Sequence, residues 1–103
     1  MAFTHFKASI AADNNQDIHL HDSTDIWIGI NIANTGSSST AIVDVKMIHT
    51  DNSAKYLIKG ASVPVGGSIE IIEGKVVGIS GEKLNVATTT SGVDVWASIL
   101  DSA

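Results

Sequence analysis

The chain has 103 residues, 44% of them hydrophobic and 17% charged, with a formal net charge of -5 and no cysteine. That length gives one domain, burying about two thirds of its extended-chain surface, and the apolar content excludes a disordered chain. The acidic balance, with six scattered Lys and Arg, argues against nucleic acid or an anionic membrane as partner, and the lack of thiols removes disulfide frameworks and thiolate metal sites.

No apolar run approaches the roughly 20 residues of a membrane-spanning helix. The first seven residues, Met-Ala-Phe-Thr-His-Phe-Lys, lack the charged and then apolar segments of a secretion leader. The chain is therefore expected to be made in a cytoplasm and to work as it stands.

In chain order, short extended segments alternate with turn chemistry. Residues 3–10 set Phe6, Ala8 and Ile10 against His5, Lys7 and Ser9, which suits an edge strand or an arm. Residues 13–17, Asp-Asn-Asn-Gln-Asp, read as a polar loop whose Asx side chains bond the backbone. A brief strand over 18–22 leads into residues 24–34, where Ile26, Ile28, Ile30 and Ile32 occupy every second position. A period of two places them on one face and sends Asp25, Trp27, Gly29, Asn31 and Ala33 to the other.

Residues 35–39 read as a hairpin loop. In the strand over 40–50, Val43, Val45, Met47 and His49 oppose Ile42, Asp44, Lys46 and Ile48. Asp51, Asn52 and Ser53 turn the chain into a strand over 55–59, which Gly60 ends. The single proline, Pro64, lacks a ladder N–H, so residues 63–65 belong at an edge or in a connection. Gly66 and Gly67 suit a two-residue hairpin turn, because glycine reaches the positive φ such turns require.

Short β-branched strands follow over 68–72, 75–79 and 83–89, with Ser80, Gly81 and Glu82 between the last two. Ser91 and Gly92 introduce the final strand, with Val93, Val95, Ala97 and Ile99 on one face and Asp94, Trp96, Ser98 and Leu100 on the other. No segment keeps helical spacing for three turns. The expectation is an all-β chain, an antiparallel β-sandwich of Ig-like or jelly-roll-like type with little or no helix, spanning residues 1–103, with residues 1–17 an edge strand or arm.

The segments over 55–69, 77–86 and 93–101 share further features: a strand ending near a Pro-x-Gly turn, a Gly-acidic turn before a Leu-x-Val strand, and an aliphatic last strand. In these the chain resembles small structural proteins in the virions of tailed bacteriophages, cyanophages among them. The resemblance implies a subunit built into a particle, as capsid decoration or cement or as part of the tail or neck. It carries over no catalytic residue and no cofactor.

The residues with chemical potential divide into several weak constellations. His19 and His21, near Asp17, Asp22 and Asp25, have the His-x-His spacing with which a strand presents two metal ligands. A solvated strand face or a polar subunit contact suits them better, no third ligand can be assigned, and no metal is expected. Asp22 with Asp25, and Glu70 with Glu73, are carboxylate pairs without a pocket to make them acid and base. Residues 78–83 hold glycines and a lysine but lack the ending of a phosphate loop, and the serines form no Gly-x-Ser-x-Gly.

Trp27 and Trp96 are each flanked at i±2 by small or polar residues. Together with Leu100, on the face of Trp96, they are the candidate interface, since tryptophan is enriched at binding hot spots. The other place open to the tryptophans is a second buried face.

Two functional classes follow, neither enzymatic. The first is a virion subunit that oligomerises, as a trimer or a higher ring if it decorates a capsid, and clamps major capsid protein, or else belongs to the tail, neck or fibre. The second is a carbohydrate-binding sandwich with Trp27 or Trp96 as a stacking platform, among polar loops at 13–17 or 35–40.

Overall fold

A computed structural model describes residues 2–18, 24–72, 74 and 76–101. Nine strands form among them: β1 (Ala2–Ile10), β2 (Asn14–Ile18), β3 (Asp25–Asn34), β4 (Ala41–Ile48), β5 (Ala54–Val63), β6 (Ser68–Glu70), β7 (Val76–Gly78), β8 (Lys83–Thr89) and β9 (Val93–Asp101). The strand over residues 18–22 is described only at Ile18; the rest of it, with His19, His21 and Asp22, lies outside the described residues.

The strands form two antiparallel sheets. Sheet A has the order β1-β9-β3-β6, with β7 beside β6 on the same edge of β3, and sheet B has the order β2-β8-β4-β5. The pairs are nested. β4 bonds β5, β3 bonds β6 and β7, β2 bonds β8, and β1 bonds β9. The chain is thus one long hairpin folded at residues 49–53, whose successive pairs fall alternately into sheet B and sheet A. With β6 and β7 as two halves of one interrupted strand, this is an eight-stranded jelly roll, which decides between the two sandwich types the sequence leaves open.

Alternation drives the packing. Val43, Val45 and Met47 of β4 and Val93, Val95, Ala97 and Ile99 of β9 are buried as their spacing predicts. They join Ile10, Ile18, Leu84, Val86 and Val63 in one core. Each of these Val, Leu, Ile and Met side chains contributes about 1.5–3 kcal/mol through removal from water.

The isoleucine ridge of β3 does not form. Ile30 and Ile32 are buried, but so is Trp27, while Ile26 is half-buried and Ile28 lies at the surface. A β-bulge is the cause. Trp27 pairs with Ile99 and Gly29 with Ser98, so Ile28 is an extra residue and the inward parity changes from odd to even across it. The β6/β7 side is irregular too, since the four steps from Asn31 to Trp27 face the six from Glu70 to Val76.

Other expectations change with the long-range pairing. Residues 14–17 are not loop but β2, because Asn85 of β8 donates its side-chain amide to both Asn15 Oδ1 (3.1 Å) and Asp17 Oδ1 (2.9 Å). Gly60 does not end β5; at φ +72 it sits in a bulge and donates its N–H to Asp44 Oδ1 at 2.6 Å. Residues 35–39 and the glycine pair after Pro64 do not close hairpins. The first connects β3 to β4 and the second β5 to β6, so both carry the chain between sheets. The turn at 64–67 is closed by Gly67 N–H donating to Pro64 O at 2.9 Å.

Candidate interaction surface

The register of sheet A fixes what its outer face presents. Phe3 pairs with Leu100, Leu100 with Ile26, and Ile26 with Val77, giving an apolar row across β1, β9, β3 and β7. Phe3 is 79% exposed, Val77 is also exposed, and Leu100 and Ile26 are half-buried. The surface residues Ile28, in the bulge, and Ile79, just past β7, extend this apolar end.

Four residues further along β9, about 14 Å at strand rise, the row becomes Lys7, Trp96, Asn31 and Glu70. Trp96 is 48% exposed. The His5 ring stacks on its indole, with centroids 4.5 Å apart and planes 9° apart. On the other side Ser9 and Asp94 pair, and Ser9 Oγ donates to Asp94 Oδ1 at 2.7 Å. A groove of about 410 Å³ lies there, lined by Lys7, Ala8, Ser9, Asp94 and Trp96.

Of the three interface candidates, the structure therefore brings Trp96 and Leu100 onto one face and removes Trp27. Trp27 is completely buried, because the bulge after it leaves it on the inward parity. Its six-membered ring lies against Gly78, where a Cβ would come within 2.4 Å of it. Its Nε1–H is buried with no hydrogen-bond partner among the described residues.

Of the paired carboxylates singled out in the sequence, only Glu70 stands on this face among the described residues. Asp25 is buried at the start of β3, and Glu70 lies over Gly29, with Oε1 2.6 Å from where a Cβ would stand. Glu73, like Asp22, is outside the described residues. Among the described residues no three His, Asp or Glu side chains are grouped to hold a metal ion.

The outer face of sheet B is more polar, although Ile42 is exposed on it. Tyr56 lies between Lys46 and Lys59, with their ammonium groups 5.9 Å and 4.9 Å from its ring centroid. Burial pushes the Asp17 carboxyl up, but the hydrogen bond from Asn85 and the Lys83 ammonium at 3.1 Å outweigh it and hold its pKa below the ordinary value. At one end His49 Nδ1 bonds Glu82 Oε2, and Ile79 N–H donates to Glu82 Oε1 at 3.0 Å. These two bonds, His49 first, lower the Glu82 pKa.

At the opposite end, sequence reasoning missed Asn34. It is buried, and its amide donates to Ser39 O (2.8 Å) and Val63 O (2.9 Å) while its Oδ1 accepts from Gly36 N–H (2.9 Å) and Ser91 Oγ (2.8 Å). One side chain thus ties together the β3–β4 loop, the end of β5 and the β8–β9 connection. The available signal was an Asn closing an apolar strand just before a Gly-Ser loop.

No family model and no curated protein matches the sequence. Solved structures do match by fold. A point-mutant VP2 protein of infectious bursal disease virus, in derived T=1 particles, aligns with a TM-score of 0.59 and 10% identity over 97% of this chain and 32% of that one. The structure of the Gx strain of that virus gives 0.50 and 12% over 99% and 32%, and that of the Gt strain 0.50 and 10% over 96% and 30%. The present chain spans about a third of the length of those it matches. At such identities the likeness establishes the shared sandwich fold.

Proposed function

We propose that this protein is a structural subunit of a virus particle, and that within the particle it acts as decoration or cement, holding neighbouring coat subunits together. The observation that carries the reading is the apolar row Phe3, Leu100, Ile26 and Val77, which crosses a whole sheet from β1 to β7. Support also comes from the jelly roll it shares with VP2 particles over nearly its full length, and from its resemblance to small virion proteins of tailed phages. Exposed apolar area of this kind marks an assembly surface, and further copies of the chain around a threefold, together with coat subunits, are its partners.

The test is cosedimentation of purified protein with emptied particles of the virus that encodes it. The expected result is saturation at a fixed ratio to coat subunits, abolished by Phe3→Asp combined with Val77→Asp in a protein whose circular dichroism is unchanged. Particles lacking the protein should lose heat resistance. Absence of binding, or binding indifferent to the two substitutions, refutes the reading, and attachment at the tail or neck in electron micrographs replaces cement with a tail component.

A further inference from the structure

The groove beside Trp96 lies apart from the apolar row, and its chemistry is different. One indole face is backed by His5. By register His5 stands beside Ser98, whereas Ser9 and Asp94 stand on the opposite side of Trp96, so the groove opens on the other indole face. Its walls are a flat aromatic, an ammonium that only donates hydrogen bonds, a carboxylate that only accepts them, and a hydroxyl. The volume of about 410 Å³ is that of a small-ligand cleft.

An apolar peptide segment would take the Lys7 ammonium out of water and leave the Asp94 carboxylate with only the Ser9 hydroxyl as partner, which is costly. A nucleic acid or acidic glycan would meet the net charge of -5 and Asp94 itself. A neutral pyranose fits both halves of the site, because its C–H face lies on an aromatic ring while its hydroxyls donate to a carboxylate and accept from an ammonium at once. The His5 stack and the Ser9 to Asp94 hydrogen bond hold the indole and one carboxylate oxygen in place before binding, which lowers the ordering cost.

We propose that the groove formed by Trp96, Lys7, Ser9 and Asp94 binds a neutral oligosaccharide, stacked on the face of the Trp96 indole not covered by His5. The chain then has two binding regions on one sheet, an apolar end for protein and an aromatic-polar end for sugar.

The test titrates the full chain with cellohexaose, maltohexaose, laminarihexaose and xylohexaose, and with an oligogalacturonate as the acidic comparison, while following the two indole N–H resonances by NMR. Trp27 is the buried internal reference. The expected result is a saturable shift of the Trp96 resonance with at least one neutral sugar below about 10 mM, as for a site with Kd near 1 mM, and a stationary Trp27 resonance. Affinity, followed by calorimetry, should fall at least about tenfold in Trp96→Ala, fall in Lys7→Ala and Asp94→Ala, and persist in Phe3→Asp. The proposal is overturned if no neutral sugar shifts the Trp96 resonance, if only the acidic sugar does, or if affinity survives Trp96→Ala.

Discussion

Two side chains fix the ends of the sandwich by different physics. Asn34 uses both amide hydrogens and both carbonyl lone pairs on groups from two connections and the end of β5. Replacing it by alanine leaves the Ser91 hydroxyl and several backbone groups without partners, so Asn34→Ala should cost about 3 kcal/mol in urea unfolding. At the opposite end the constraint is steric. A methyl group on Gly78 would enter the six-membered ring of Trp27, so Gly78→Ala should cost about 1–3 kcal/mol by overpacking. Combined with Trp27→Phe, which retracts the ring, it should cost clearly less than the two changes summed, and a double-mutant cycle measures that coupling.

Among the elements, β3 shows how far alternation can be trusted. Its residues are apolar on both parities, Ile26, Ile28 and Trp27 alike, so hydrophobic pattern alone cannot say where an extra residue is accommodated. In β9 only one parity is apolar apart from Trp96 and Leu100, and the pattern predicts the buried face correctly. The turn before β8 carries a pH dependence. The pKa of Glu82 is lowered from its ordinary value of 4.5 by His49 and by the Ile79 N–H. A depressed carboxylate contributes stability that is present above the unfolded value and lost as pH falls through the folded one. Glu82→Gln should therefore lower the urea midpoint at neutral pH and flatten its decline below about pH 4.5.

For the whole molecule, the nested hairpin makes the two ends of the chain partners. β1 runs along β9 for nine residues without a register shift, whereas β5, at the edge of sheet B, is bulged twice. Bulges blunt an edge against pairing with other chains, so sheet A keeps the one long regular edge among the described strands. Removing residues 2–10 would uncover the aliphatic β9 edge, and the truncated chain should elute as large aggregates in size-exclusion chromatography where the full chain does not. The apolar row depends on the same closure, since Phe3 reaches Leu100 only because the first strand returns to the last.

The sequence by itself determined that the chain is built of strands, which residues of β4 and β9 are buried, and where most turns fall, because alternation and turn chemistry act over a few residues. Only the tertiary structure decided that Trp27 is core and Trp96 is surface, that residues 14–17 form a strand, and that the glycine turns carry the chain between sheets. Each of those outcomes depends on which distant strand lies alongside, and the energy of that pairing is set by neighbours far away in the chain.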